Sequence, residues 1–287
     1  MTAPVQAQGT LAKLRWDFEQ KPSDRYQPEP VLLVGETAIN LRSRIGQRMR
    51  FTYAGKIHCC HCGRISKRSF SQGYCYPCFK KLARCDLCIM SPTRCHFDAG
   101  TCREPEWAQG FCFAPHSVYL ANSSGLKVGI TGSGREPTRW VDQGAAQALV
   151  LLHCATRQLA GTLEAALAEH ISDRTHWRKL LSGDAPALDL PDLADQALKR
   201  LGALPEGAQA VIPRPIEINY PISRYGPVKT INLEKSPLFE STLLGVKGQY
   251  LLFEDGVLNV RRHTAFAVSY ASGPGDDAPE SEQMEIF

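Results

Sequence analysis

Ten of the chain's 11 cysteines fall between Cys59 and Cys112, and only Cys154 lies outside that window. What such a cluster can become depends on where the chain resides. The opening MTAPVQAQGTLAKLRW holds no apolar run that could serve as a secretory signal. No stretch approaches the roughly 18 uninterrupted apolar residues of a membrane span. A cytoplasmic protein with no membrane partner is therefore expected, in a compartment where thiols stay reduced. Reduced, clustered thiols point to metal and not to disulfides.

The spacing sharpens this. Cys59-Cys60-His61-Cys62-Gly63 is followed by Cys75-Tyr76-Pro77-Cys78, with 12 residues between Cys62 and Cys75. Cys59 with Cys62, and Cys75 with Cys78, each have the Cys-x-x-Cys spacing that turns two sulfurs toward one point. Two such turns facing each other make the tetrahedral thiolate cage that Zn²⁺ prefers, as in a zinc ribbon. Gly63 permits the tight turn after the first pair. Cys60 breaks the spacing and reads as a bystander. A third pair, Cys85 and Cys88, suggests a second zinc ion, with Cys95 and Cys102 as its nearest further ligands. Cys112, His96 and His116 compete for that site. Four sulfurs close the coordination shell, so either zinc is structural and not catalytic.

Around the first cage, Arg64, Lys67, Arg68, Lys80, Lys81 and Arg84 alternate with Phe70, Tyr74, Tyr76 and Phe79. Basic side chains can meet phosphates and aromatic rings can stack on bases, which makes Lys67, Arg68, Lys80 and Lys81 candidates for nucleic-acid contacts. The same pattern also describes a solvated basic face over a small aromatic core. Net charge is only +4, so overall charge does not decide between them.

The rest reads as an α+β chain in five parts. Residues 1–56 form a β-rich segment through VLLVGET and MRFTYAG. Residues 57–113 are the Cys-rich module. In 114–183 the order is hairpin, helix, strand, helix. HSVYLANSSGLKVGIT holds two apolar runs parted by NSSG, a hairpin signal. Pro137 suits the start of a helix over REPTRWVDQGAAQ. ALVLLHCAT reads as a buried strand. Leu159, Leu163, Leu167 and Ile171 recur every four residues along one helix face. Residues 184–272 hold a short amphipathic helix, DLADQALKRL, and then a β-rich domain or barrel. Residues 273–287 begin GPGDDAPESE, which cannot bury a core and is expected to be disordered. His153 and Cys154 are adjacent on a strand and point to opposite faces, which argues against a Cys–His catalytic pair.

The 116–180 stretch resembles the GIY-YIG nuclease domain, in which two short motifs lie on neighbouring strands, an arginine follows on a helix, and a glutamate sits on a later helix. Val118-Tyr119-Leu120 is similar to the first motif with its tyrosine kept. Lys127-Val128-Gly129 is similar to the second, with lysine in place of tyrosine. Arg139 and Glu164 take the arginine and glutamate positions. The whole chain resembles a bacterial family that joins a zinc ribbon to such a domain, in the phrases GYCYPCF, GTCREPEW, VYLANSSGLKVGIT, PTRWVDQGA and KGQYLLF. The resemblance implies a zinc ribbon followed by a GIY-YIG-like ββαβα domain. It implies a DNA endonuclease of repair or replication. Glu164 would hold catalytic Mg²⁺ or Mn²⁺, Arg139 would pair with phosphate oxygens, and Tyr119 would orient or deprotonate the attacking water. Lys127 can add charge toward phosphate but cannot replace the missing phenol.

Gln283-Met284-Glu285-Ile286-Phe287 resembles the short peptide by which bacterial replication and repair proteins bind the sliding clamp. In that resemblance Gln283 would hydrogen-bond and Ile286 and Phe287 would fill an apolar pocket. Two other function classes stand beside the nuclease: a non-catalytic nucleic-acid-binding zinc adaptor on the same scaffold, and a protein-binding scaffold.

Overall fold

The computed structural model describes residues 5–18 and 24–273. It is a mixed α+β, sheet-rich protein. Its largest sheet begins from the Arg48–His58 strand, whose sequence RMRFTYAGKIH alternates. Met49, Phe51 and Ile57 turn inward and are buried, whereas Arg48, Arg50 and Thr52 face out. This strand lies between Phe266–Gly273 and Leu238–Lys247, both antiparallel to it. Val5–Thr10 extends the sheet on one side, and Tyr250–Phe253, Gly256–Asn259 and Thr230–Ile231 extend it on the other. Strands from the N-terminal segment (Val5–Thr10, Arg48–His58) and from the C-terminal segment thus share one sheet, whose strand path is open.

A second sheet runs in the order Arg25–Tyr26, Ile216–Ile218, Gln147–Cys154, His116–Asn122, Leu126–Gly132. An interior strand of this sheet, His116–Asn122, is buried on both faces. Tyr119 and Ala121 join the large core shared with the first sheet, while Val118 and Leu120 join a separate core against two helices. Those helices are Arg157–Ala168, capped by Thr156 accepting from Leu159 N–H, and Leu190–Leu201, capped by Asp189 accepting from Asp192 N–H. Leu163 and Leu167 are buried as the four-residue spacing predicts.

The helix expected over 135–147 is shorter. It spans Glu136–Asp142, because Gly144 adopts φ 72° and leaves the helix, freeing Gln147 to start the next strand. A third, three-stranded sheet (Arg15–Asp17, Glu29–Val34, Thr37–Asn40) packs Trp16, Leu32 and Val34 into the large core. Among the described residues, no helix is long and apolar enough to cross a membrane.

Candidate functional site

The first cysteine cage is built by two local turns. Gly63 at φ 72° lets its N–H donate to Cys59 O at 2.8 Å, and Cys59 N–H donates to Arg64 O at 2.9 Å. The second turn opens the Tyr76–Lys81 helix directly after Cys75, with Phe79 N–H donating to Cys75 O and Leu82 N–H to Cys78 O, both at 2.9 Å. The Sγ atoms of Cys59, Cys62, Cys75 and Cys78 lie within 4.8 Å of one another, and Cys62 and Cys75 are 3.7 Å apart. A tetrahedron with metal–sulfur bonds of ~2.3 Å has edges of ~3.8 Å, so the residues fit zinc. Their electrostatics agree. Burial raises the Cys59 thiol, but the backbone amides of Cys75, Cys62 and His61 outweigh it and hold the pKa down to about 6. The Arg64 amide lowers Cys62 in the same way. Burial and the neighbouring sulfurs push Cys78 up, so not all four thiols can ionise without a cation among them.

The other cysteines divide differently from their order in the chain. Cys85 is buried against Cys59, Cys75, Cys78 and Leu82, and Ser71 and Cys60 are among the groups nearest its thiol. Among the described residues, Cys85, Cys88, Cys95 and Cys102 do not bring their four Sγ atoms within 4.8 Å of one another. Asp86, Cys88 and His96 bring one ligand atom each within 4.8 Å. Cys154 is buried in the second core and its pKa is pushed up to about 11 by burial, which marks an inert thiol. His153 faces the other way, with Nδ1 3.1 Å from Ser117 Oγ.

Tyr119, Lys127, Arg139 and Glu164 come together at the hairpin. Tyr119 pairs across the strands with Gly129, and Ala121 with Lys127. A Cβ at position 129 would lie 2.5 Å from the Tyr119 hydroxyl, so the ring lies flat across Gly129. The hydroxyl sits 2.7 Å from the Gln143 amide. With that amide turned so its oxygen faces Arg139, it accepts from Nε at 3.1 Å and Nη2 at 3.0 Å while its nitrogen donates to Tyr119. Gln143 thus ties the tyrosine to the arginine. Burial raises the Tyr119 pKa, against a lowering by Arg139. Lys127 is buried, and its Nζ donates to Asp173 O at 3.2 Å. Burial, then Arg139, bring its pKa down to about 8, although Glu164 and Asp173 pull the other way. Burial raises the Glu164 pKa even though Lys127, Arg139 and Arg157 surround it. One carboxylate among three cations is an environment suited to an anion such as phosphate.

Sequence reading missed Gln143 and Arg157, whose importance comes only from tertiary approach. It also missed a cleft of about 450 Å³ lined by Arg68, Gln72, Glu234, Arg261, Arg262 and His263. Arg261 in that cleft lies close enough to Arg139 for their charges to repel. Lys67, Arg68, Lys80 and Lys81 are all exposed. Phe70 stacks on Phe79 at 5.7 Å and both rings are half-buried, while Tyr76 beside them is 55% exposed. Gln283, Ile286 and Phe287 lie outside the described residues.

Residues 46–268 match the model of a family described as a protein of unknown function, DUF2797. No curated protein and no solved structure matches the chain.

Proposed function

We propose that this chain, which belongs to the DUF2797 family, is a zinc-stabilised nucleic-acid-processing protein. Its 114–183 unit is read as a divalent-metal-dependent DNA endonuclease of the GIY-YIG type, acting in repair or replication. The observation that carries the reading is the cluster at the hairpin: Lys127, Arg139 and Glu164 lie within interaction range of one another, Tyr119 lies within range of Arg139 and Glu164, and Gln143 ties Tyr119 to Arg139. The Arg139–Arg261 neighbourhood and the arginine-lined cleft add a basic path toward Arg68 on the zinc module.

Glu164 is the residue that would hold Mg²⁺ or Mn²⁺, and one carboxylate suffices where substrate phosphates complete the shell. The cation, when bound, polarises the scissile phosphate and stabilises the leaving oxygen. Arg139 pairs with phosphate oxygens as charge builds, held at its post by Gln143. Lys127 adds a second positive charge below its pKa. Tyr119 acts by orientation through Gln143, since a sealed hydroxyl with a raised pKa is a poor base. That sealed hydroxyl also favours a second reading, in which the same scaffold binds nucleic acid without cutting it. Separately, the Gln283–Phe287 peptide is proposed to bind the sliding clamp, with Ile286 and Phe287 as its apolar contacts.

Cleavage of branched and single-stranded DNA with Mg²⁺ or Mn²⁺ tests the reading. Glu164→Ala should abolish cleavage and leave binding largely intact, and Arg139→Ala should weaken both. Salt-sensitive binding with no cleavage of any substrate would leave the adaptor standing. Absence of both would favour a protein-binding scaffold.

A further inference from the structure

The second group of cysteines supports an inference that does not depend on the nuclease reading. We propose that Cys88, Cys95, Cys102 and Cys112 together hold a second structural zinc ion, with Cys85 outside the site.

Three contacts between sequence neighbours, and two more from Arg157, bring together the segments that carry these cysteines. Asp86, two residues before Cys88, accepts from Arg103, next to Cys102, at 2.7 Å. His96, next to Cys95, has Nδ1 2.8 Å from the Thr101 hydroxyl, next to Cys102. Phe97 and Phe113, on either side of this pocket, meet edge to face at 4.7 Å, which brings Cys95 toward Cys112. Arg157 closes the ring. Its N–H donates to Cys112 O at 2.8 Å, and its guanidinium donates to Ile89 O, next to Cys88. In keeping with this, Cys88 lies in the field of Cys95 and Cys102, and Cys112 lies in the field of all three.

Arg157 supplies an independent pointer. Its guanidinium Nε is buried without a hydrogen-bond partner, in the field of the Cys112 thiol, of Glu164, which it shares with Lys127 and Arg139, and of the Cys88 thiol. A zinc ion with four thiolates carries a net charge of −2, which would give that buried cation a counter-charge. The competing ligand set is Asp86, Cys88 and His96. Its carboxylate is already engaged, since Asp86 holds Arg103 and caps Leu87 N–H at 2.6 Å, and the three ligands alone leave the zinc shell one short of four. Cys85 is taken up by the first module, as described above.

The site also fastens the module to the neighbouring helix. Pro92, in the turn before Cys95, abuts Gly161, where an added Cβ would come within 2.4 Å of Pro92 Cβ. Gly161 and Glu164 share the Arg157–Ala168 helix.

The test is zinc content of the full chain, purified under reducing conditions. Wild type should carry two equivalents, Cys112→Ser and Cys95→Ser one each, and Cys85→Ser and His96→Ala two. One equivalent in wild type, two in Cys112→Ser, or a loss in His96→Ala would overturn the assignment. Should the serine variants fail to fold, wild type loaded with Co²⁺ decides the matter. Thiolate charge-transfer absorption twice that of a single four-sulfur site supports the proposal. Absorption well short of twofold refutes it.

Discussion

Around the first metal site the buried apolar set is Cys59, Cys75, Cys78, Cys85 and a single leucine, Leu82. A few residues further on, Val118, Leu120, Val128, Leu149, Leu151, Leu163 and Leu167 fill a core with two helices closed over it. Both stretches are ordered, but by different means. The second removes enough hydrocarbon from water to fold on that alone, at ~1.5–3 kcal/mol per large side chain. The first has too little to bury and, with four thiols placed to fit zinc, would depend on ligand bonds. Its basic side chains Lys67, Arg68, Lys80 and Lys81 all stay exposed.

The sharpest way to break this contrast is to take the metal away. Structural zinc in small modules contributes on the order of 10–16 kcal/mol of apparent binding free energy, most of it folding free energy. Chelation should therefore make residues 59–112 exchange amide hydrogens and yield to protease, and Cys78→Ser should do the same to residues 59–85. The 116–132 hairpin and the 147–168 strand and helix should stay protected. Equal protection of both stretches after complete zinc removal would show that the module needs no metal.

Next in size is the seam between the two. Gly161→Ala lies in a helix interior, where propensity alone predicts a gain of about 1 kcal/mol. The overlap with Pro92 predicts instead a net loss of about 1–3 kcal/mol. Urea unfolding decides by sign, and a gain would mean the seam is looser than the 2.4 Å approach implies.

A smaller effect should come from Lys127. Its folded pKa of about 8 lies below the ordinary lysine value, so the unfolded chain binds the extra proton between the two. Stability should rise with pH across that window, with the penalty full below about 8. Phosphate affinity should run the other way and fall severalfold from pH 7 to 9 as the charge is lost. Lys127→Met should flatten both profiles, and a wild-type binding curve with no pH dependence would contradict the assignment. The smallest effect on either stretch should come from Phe287→Ala. It should leave zinc content and protection unchanged while removing most of the affinity of a 273–287 peptide for the sliding clamp, by calorimetry. Unchanged affinity, or none to lose, would make the motif an accident.

How much of this could be read beforehand follows the range of the interactions. The hairpin was legible because NSSG and its flanking apolar runs are local. The Cys-x-x-Cys turns were legible because each is set within four residues. The end of the Glu136–Asp142 helix was misjudged because one glycine at a positive φ outweighed a run of good helix formers. The partners of Cys88 were not readable from spacing, because Arg157, 45 residues beyond Cys112, sets where that loop returns. Gln143 and Arg261 have no local signature, since their surroundings come from distant elements.

The sheet built on Arg48–His58 has a consequence for how the protein is made. One flank is Phe266–Gly273, which also carries Val5–Thr10, and the other is Leu238–Lys247. At ~5–20 residues per second, a ribosome needs on the order of ten seconds or more to deliver the missing flanks. Throughout that time Met49, Phe51 and both free edges of the strand are uncovered, an invitation to pair with other chains. The zinc module, complete by Cys112, can close long before. A chaperone that engages the nascent chain should therefore hold residues 48–58 and let go only after residue 273 has emerged.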